Sequence, residues 1–173
     1  MSTPLKKVVD DQLNASGMAS EQLDDVDARY VAAGVKNVLS NLEARRAWEN
    51  HIGAILTHKQ AVDATGWTKQ ALSQAVKESR VLRLTAADGT IGYWSGGLTD
   101  TAPHVPIRGI KDVLKAWASA DVQAWTIASW MSSPQPELDD RTPRRALLDG
   151  DTADVVKLAR QASASVMDIP GSI

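Results

Sequence analysis

Two short amphipathic segments joined at a single glycine constrain the fold of this chain more than any other feature. The first covers residues 57–65, where Thr57 and Gln60 have the spacing of a capping box that begins a helix. Gly66 supplies the left-handed backbone conformation that ends a helix, and Thr68 is suited to cap a second one. Two short helices joined by a tight glycine turn are typical of a helix-turn-helix.

Two runs of β-prone residues follow the second helix directly. They cover residues 80–84 and 90–94, and Asp88-Gly89 between them has the chemistry of a tight hairpin turn. A helix-turn-helix followed at once by a hairpin is the order of elements in a winged helix-turn-helix, in which the hairpin is the wing. We therefore expect this fold over about residues 51–94.

The charge of the chain is nearly balanced overall but basic in this region. The 173 residues contain 19 Lys and Arg against 21 Asp and Glu, which gives a net charge of −2. Between residues 67 and 83, however, the cations Lys69, Lys77, Arg80 and Arg83 face only one acid, Glu78. Such a patch suits an anionic partner such as nucleic acid, although a solvated helix face has the same pattern.

A helix-turn-helix that binds DNA presents the first turns of its second helix to base edges in the major groove. The candidate DNA-binding residues lie on the polar side of that helix, in the wing and at the two helix starts. They are Thr57, Thr68, Lys69, Gln70, Ser73, Gln74, Lys77, Arg80 and Arg83. Gln70, Gln74, Ser73 and Lys69 are suited to base edges, whereas Lys77 and the arginines are suited to phosphates. The alternative is that these polar residues only coat a small helical core.

The rest of the chain predicts a mainly α protein with a second, all-helical module. Residues 1–19 look like a flexible arm, and residues 20–94 form a helical N-terminal region that includes the winged helix-turn-helix. A helix from Ser20 to about residue 48 has a narrow apolar stripe that could cover the neighbouring domain or a second copy of the chain. Residues 95–105 have the composition of a linker, residues 106–161 form the C-terminal module, and residues 162–173 form a tail.

Local start and stop signals divide the C-terminal module into helices. Pro106 opens the first helix, and Asp121 caps the second. Thr142-Pro143 begins a short third helix that ends at Gly150, and Asp151 or Thr152 caps the last.

Catalytic and metal chemistry find little support in the sequence. The chain has no cysteine, and His51, His58 and His104 are too irregularly spaced for a compact metal motif. No serine lies in a nucleophile-elbow pattern. The longest apolar runs are far shorter than a membrane span, and the first residues do not form a secretory signal. We therefore expect a cytoplasmic protein that is not an enzyme and needs no cofactor, metal or membrane.

The motifs in both halves resemble known families. Thr57-His-Lys-Gln-Ala-Val to Gly66-Trp-Thr-Lys-Gln-Ala-Leu-Ser-Gln-Ala-Val, with Arg80-Val-Leu-Arg-Leu and Asp88-Gly89, resembles the small helix-turn-helix regulators common in actinobacteria and their phages. Trp130-Met-Ser-Ser-Pro-Gln-Pro-Glu-Leu138, Arg141-Thr-Pro143, Leu147-Leu148-Asp-Gly150 and Val155-Val156 resemble the toxin-binding domain of Xre/MbcA/ParS-class antitoxins. The second resemblance implies a partner protein, often a toxin with an ADP-ribosyltransferase-like RES fold.

The leading hypothesis is a sequence-specific regulator of transcription, repressor-like, that binds double-stranded DNA. One alternative is an antitoxin whose C-terminal module binds a RES-type toxin and whose DNA binding autoregulates the pair. Another is a phage immunity repressor whose C-terminal module also contacts DNA through Arg141, Arg144 and Arg145. Those arginines could equally form a solvated helix cap paired with Asp139 and Asp140. The sequence leaves the oligomeric state open.

Overall fold

A computed structural model describes residues 5–17 and 24–167, and it shows a mainly helical protein with a small three-stranded antiparallel sheet. The chain divides into two compact units, Met1–Arg46 and Ala47–Ile173. Among the described residues, no helix has both the length and the apolar character that crossing a membrane requires.

The described residues of the first unit contain two helices, α1 (Leu5–Ala15) and the greater part of α2 (Asp25–Ile52). The helix α1 replaces most of the arm expected over residues 1–19; residues 1–4, 18 and 19 of that arm lie outside the described residues. Ser20, the expected helix start, also lies outside them. The structure begins α2 at Asp25, and the Oδ1 of Asp24, just before it, accepts hydrogen bonds from the amides of Val26 and Asp27, both at 2.8 Å.

The second unit holds the end of α2 and all the remaining elements. In chain order they are β1 (Ile55–Leu56), α3 (His58–Thr65), α4 (Lys69–Lys77), β2 (Arg83–Thr85), β3 (Ile91–Trp94), a 3₁₀ turn (Ser95–Gly97), α5 (Ile110–Trp117), α6 (Ala124–Ser132), a second 3₁₀ turn (Pro136–Leu138), α7 (Pro143–Asp149) and α8 (Thr152–Met167).

The sheet has the order β1-β3-β2 with every pair antiparallel. The hairpin β2–β3 turns at Asp88-Gly89 as expected, with Gly89 at φ +82° and the Thr90 amide donating to Asp88 Oδ1. The strand β1 was not expected from the sequence, because two residues carry no periodicity. Gly92 in β3 allows it to pair so closely, since a Cβ there would overlap the Ile55 side chain.

The strand β2 begins at Arg83, three residues later than the sequence run 80–84 predicts. Ser79 takes a left-handed conformation (φ +58°), and the Arg80 amide donates to Ala75 O at 2.8 Å. This is the hydrogen bond of a Schellman-type helix end. Residue 80 therefore closes α4 and does not belong to the hairpin.

The central strand β3 lies between two hydrophobic clusters. Successive side chains of a strand point to opposite faces, so Tyr93 packs with Ala61, Leu72 and Ala75 of α3 and α4. Trp94, 1% exposed, joins the other cluster. That cluster contains residues from both sides of the expected linker: Ile52, Ile55, Leu84, Ile107, Ile110, Val113, Leu114, Trp117, Ile127, Ala128, Met131, Leu138, Ala146, Leu147, Val155, Leu158 and Ala159.

This shared cluster differs from the expected division into a DNA-binding region and a separate C-terminal module. Residues 51–94 and 106–161 belong to one compact unit because both faces of the sheet are covered. Residues 95–97 are a 3₁₀ turn in which Gly96 and Gly97 are buried, and a Cβ at Gly96 would overlap the Trp94 ring. The glycines of the expected linker thus allow close packing rather than flexibility.

The C-terminal helices confirm some of the expected boundaries and change others. Thr142 caps α7 and Gly150 ends it, as predicted. The helix α5 begins only at Ile110, after the left-handed Gly109, and α6 begins after Gln123, so neither Pro106 nor Asp121 starts a helix. The helix α8 extends to Met167, so the first part of the expected tail 162–173 is helical; residues 168–173 lie outside the described residues.

We predict that Trp94→Ala lowers the free energy of unfolding by about 3–5 kcal/mol, because it leaves a cavity in the shared cluster. It also removes the hydrogen bond from Trp94 Nε1 to Ile52 O (2.7 Å). Urea denaturation followed by far-UV circular dichroism measures this. Trp48, 37% exposed, provides the control: Trp48→Ala should cost less than half as much. Equal losses would mean that the Trp94 cluster does not support the fold.

Candidate nucleic-acid interface

The helix pair α3–α4 is fixed by hydrogen bonds at both helix starts and at the turn. Thr57 and Gln60 form the complete capping box, with Thr57 N donating to Gln60 Oε1 at 2.8 Å and Gln60 N donating to Thr57 Oγ1 at 3.3 Å. Gly66 ends α3 at φ +68°, and the Ala71 amide donates to Thr68 Oγ1 at 3.1 Å. The expected caps and turn are all confirmed.

Thr57 and Thr68 therefore use their hydroxyl oxygens inside the fold. Each of them was expected to contact DNA, and each is exposed at the start of a short helix. Because each capping oxygen already accepts a hydrogen bond from a backbone amide, what remains for an outside ligand is the hydroxyl proton, the second lone pair and the free amides of the first turn.

The outer side of α4 carries five of the expected residues on one continuous surface. They line a shallow groove of about 360 Å³ and are Lys69, Gln70, Ser73, Gln74 and Lys77. All five are exposed, whereas Leu72 and Ala75 on the opposite side of the helix are buried. The buried pair fixes the rotation of α4, so the polar side has to face outward.

Two of the expected contacts are tied to Glu78, the single acid of the basic segment. Gln74 Nε2 donates to Glu78 Oε1 at 2.9 Å, and Arg80 Nε donates to Glu78 Oε2 at 2.7 Å. The Arg80 guanidinium also lies over the Trp67 ring, 5.4 Å from its centroid. Arg80 is therefore held beside the end of α4, and part of its charge is balanced before any ligand arrives.

The hydrogen bonds from Gln74 and, second, from Arg80 lower the pKa of the Glu78 carboxyl below its ordinary value of 4.5. From the sequence alone, Glu78 was counted only as an opposing charge and was not identified as the partner of Gln74 and Arg80. Its spacing of four residues from Gln74 on a helix is the sequence signal that could have identified the pair.

Arg83 differs from Arg80 in its surroundings. It begins β2 opposite Tyr93, and its side chain is exposed. Across the part of the chain that the structure describes, no side chain or carbonyl forms a hydrogen bond or ion pair with its guanidinium. Arg83 is thus placed on the hairpin as expected, with its full charge available.

The three arginines of the C-terminal helices all have partners within the chain. Arg141 forms ion pairs with Asp149 (3.1 Å) and Asp151 (2.8 Å), and Arg145 pairs with Asp149 (3.0 Å). Arg144 donates from Nε to Gly96 O at 2.8 Å and pairs with Asp100. The acids are therefore not the Asp139 and Asp140 that the sequence suggested. These latter residues both take left-handed conformations in the turn before α7.

The histidines each have one hydrogen-bonded neighbour and do not form a cluster. Their partners are Ser129 Oγ for His51 (2.8 Å), Tyr93 Oη for His58 (3.0 Å) and Thr99 O for His104 (2.7 Å). Within residues 5–17 and 24–167, no group of three or more His, Cys, Asp or Glu residues is placed to hold a metal ion.

A second cleft, of about 510 Å³, lies where residues 95–104 pass the end of α2 and the start of α7. His51, His104, Asp100 and Arg144 line it, but each of these is already bonded to another residue of the chain. The outer side of α4 is therefore the better candidate for recognition.

Comparison with known proteins gives one similarity of fold. No family model matches the chain, and no curated protein matches it. The chain is similar to the NMR structure of Rv2175c, with a TM-score of 0.53 and 16% sequence identity, over 64% of this chain and 81% of that one. At this identity the similarity concerns the fold alone.

We predict that the Glu78 carboxyl titrates below pH 4.5 and that Gln74→Ala moves its midpoint up towards that value. A lowered pKa means that the bonds to Gln74 and Arg80 are present above pH 4.5 and are lost as the pH falls through the lowered value. Carboxyl-carbon NMR measures the midpoint. Gln70→Ala, one turn away on the same helix, should leave it unchanged. A midpoint at or above 4.5 in the unaltered protein would contradict the network.

Proposed function

We propose that this protein is a non-enzymatic, sequence-specific DNA-binding regulator, with α3 and α4 as a helix-turn-helix and the β2–β3 hairpin as its wing. The observation that supports this best is the outer side of α4, where Lys69, Gln70, Ser73, Gln74 and Lys77 form one exposed polar surface. A helix of nine residues with such a side fits the major groove, which is about 12 Å wide.

The chemistry of this surface suits base edges more than a protein partner. Gln70 and Gln74 each offer an amide that can pair with adenine at two points, and Lys69 can donate to guanine. Ser73 between them can donate or accept. No apolar side chain lies among the five, whereas the centre of a protein interface is normally apolar.

Arg83 extends the proposed surface onto the hairpin. Its guanidinium is exposed and uncompensated by the described residues, so it can release a counterion by binding a phosphate. The hairpin tip, at Asp88-Gly89, carries an acid. Hydrogen bonds with Thr90 lower the pKa of the Asp88 carboxyl. We therefore assign phosphate contact to the base of the hairpin rather than to its tip.

The alternative in which the C-terminal helices also contact DNA has weaker support. Arg141, Arg144 and Arg145 are already paired with Asp149, Asp151 and Asp100, and each pair would have to be broken or shared. The toxin-binding alternative depends on the sequence resemblance and has no separate contact in its favour. A toxin could still bind α5–α8 without competing for α4.

We predict that Gln70→Ala or Ser73→Ala weakens binding to a preferred duplex by about 1–3 kcal/mol, because each removes contacts to base edges. The preferred duplex is obtained by selecting a random-sequence pool with the full-length protein, and binding is measured by fluorescence anisotropy. Gln161→Ala changes an exposed helical glutamine of α8 and should have no effect. Equal losses on the preferred and a scrambled duplex would remove these residues from base readout.

We also predict that Arg83→Ala lowers the salt dependence of binding by about one unit of slope, on preferred and scrambled DNA alike. A counterion is released from the phosphate whatever the neighbouring base. The matched control is Arg145→Ala, which removes an exposed arginine paired with Asp149. If Arg145→Ala reduced the slope and Arg83→Ala did not, the DNA contact would belong to the C-terminal helices.

A further inference from the structure

The part of helix α2 that belongs to the first unit carries an exposed apolar stripe. Every residue from 24 to 46 is exposed, although α1 belongs to the same unit. Among them are seven large apolar side chains between 38% and 84% exposed, and five of these fall on one side of the helix and form the stripe: Val31, Val35, Val38, Leu39 and Leu42. Single exposed apolar residues are ordinary, but a row of them along one helix marks an interaction surface.

The spacing of these residues is that of a coiled-coil seam. Val31, Val35, Val38 and Leu42 follow one another at intervals of four, three and four residues, which are the alternating a and d positions of a heptad. Ala28 extends the seam by one position, and Leu39 flanks it. The apolar positions from Ala28 to Leu42 span about two heptads, so the expected pairing is reversible and depends on concentration.

The charges at the two ends of this segment determine the direction in which a partner helix would run. The first turn is acidic, with Asp25 and Asp27, and residues 43–46 at the far end of the stripe have a net charge of +1, from two arginines and Glu43. A second copy running parallel would place Asp beside Asp and Arg beside Arg. A second copy running antiparallel places Asp25 of each chain beside Arg46 of the other, at both ends of the seam, and also opposes the helix dipoles favourably.

We propose that the protein forms a homodimer in which the α2 helices of two copies pack antiparallel through this stripe. The two-fold axis passes between Val35 and Val38. In this register Val35 faces Val38 of the second copy, Val31 faces Leu42, and Ala32 lies beside Leu39. The seam positions from Val31 to Leu42 are then apolar on both sides, and both pairs of end charges are opposite in sign.

The proposal does not depend on DNA binding, but it has a consequence for it. A dimer carries two copies of the α4 surface. A two-fold pair of recognition surfaces would then favour a palindromic site.

The first test is sedimentation velocity of the full-length chain without DNA, over a range of concentrations. We expect a concentration-dependent dimer, and Val35→Asp should raise its dissociation constant about tenfold or more, because a carboxylate would be buried in the seam. Val26→Asp is the matched control: it is on the same helix, 69% exposed and off the seam, and should leave the dimer intact. A monomer at all concentrations, or a dimer insensitive to Val35→Asp, overturns the proposal.

The second test determines whether the two helices run parallel or antiparallel, and it uses substitutions that leave the stripe largely apolar. Because the natural chain has no cysteine, Val31→Cys and Leu42→Cys each introduce one thiol. In the antiparallel pair, a mixture of the two variants forms a disulfide under oxidation, while either alone does not, since like positions lie about 16 Å apart along the axis. Disulfides formed by each variant alone would show a parallel pair and overturn the proposed arrangement.

Discussion

The packing of Trp94 at the end of the central strand is the contact on which the second unit depends. Its indole is buried, donates to Ile52 O and lies against Gly96 and Gly97, while most of its cluster comes from the C-terminal helices. Tyr93, the preceding residue, packs on the opposite face with α3 and α4. One strand therefore joins two clusters, and the helix pair proposed to bind DNA is held by a sheet whose other face is covered by α5–α8.

This arrangement explains why the sequence predicted the local geometry well and the domain organisation less well. The caps at Thr57, Thr68 and Thr142 and the turns at Gly66 and Asp88-Gly89 were predicted because each is determined by a few neighbouring residues. The role of residues 95–105 is determined by contacts across the chain, such as the bond from Arg144 to Gly96 O. A flexible linker and a tightly packed turn can have the same content of glycine and proline, so composition alone does not tell them apart.

The same distinction applies to the charged residues of the candidate site. Sequence spacing placed Lys69, Gln70, Ser73, Gln74 and Lys77 on one side of a helix, and the structure places them there. Sequence spacing did not distinguish Arg80 from Arg83. Arg80 is bonded to Glu78 and stacked on Trp67, whereas Arg83 is exposed on the hairpin. Nor did the spacing show that Arg141, Arg144 and Arg145 bind acids from elsewhere in the chain. Ion pairs between distant residues depend on tertiary structure and have no local signal.

The most direct test of the proposed function is to map the DNA contact on the whole protein by backbone amide NMR. The full-length chain is titrated with a duplex selected from a random pool, in buffer of constant salt. We expect the largest changes in chemical shift on α4 and at the base of the β2–β3 hairpin, with α7 and residues 95–104 unchanged. Changes concentrated on α7 and that cleft, with α4 unaffected, would contradict it.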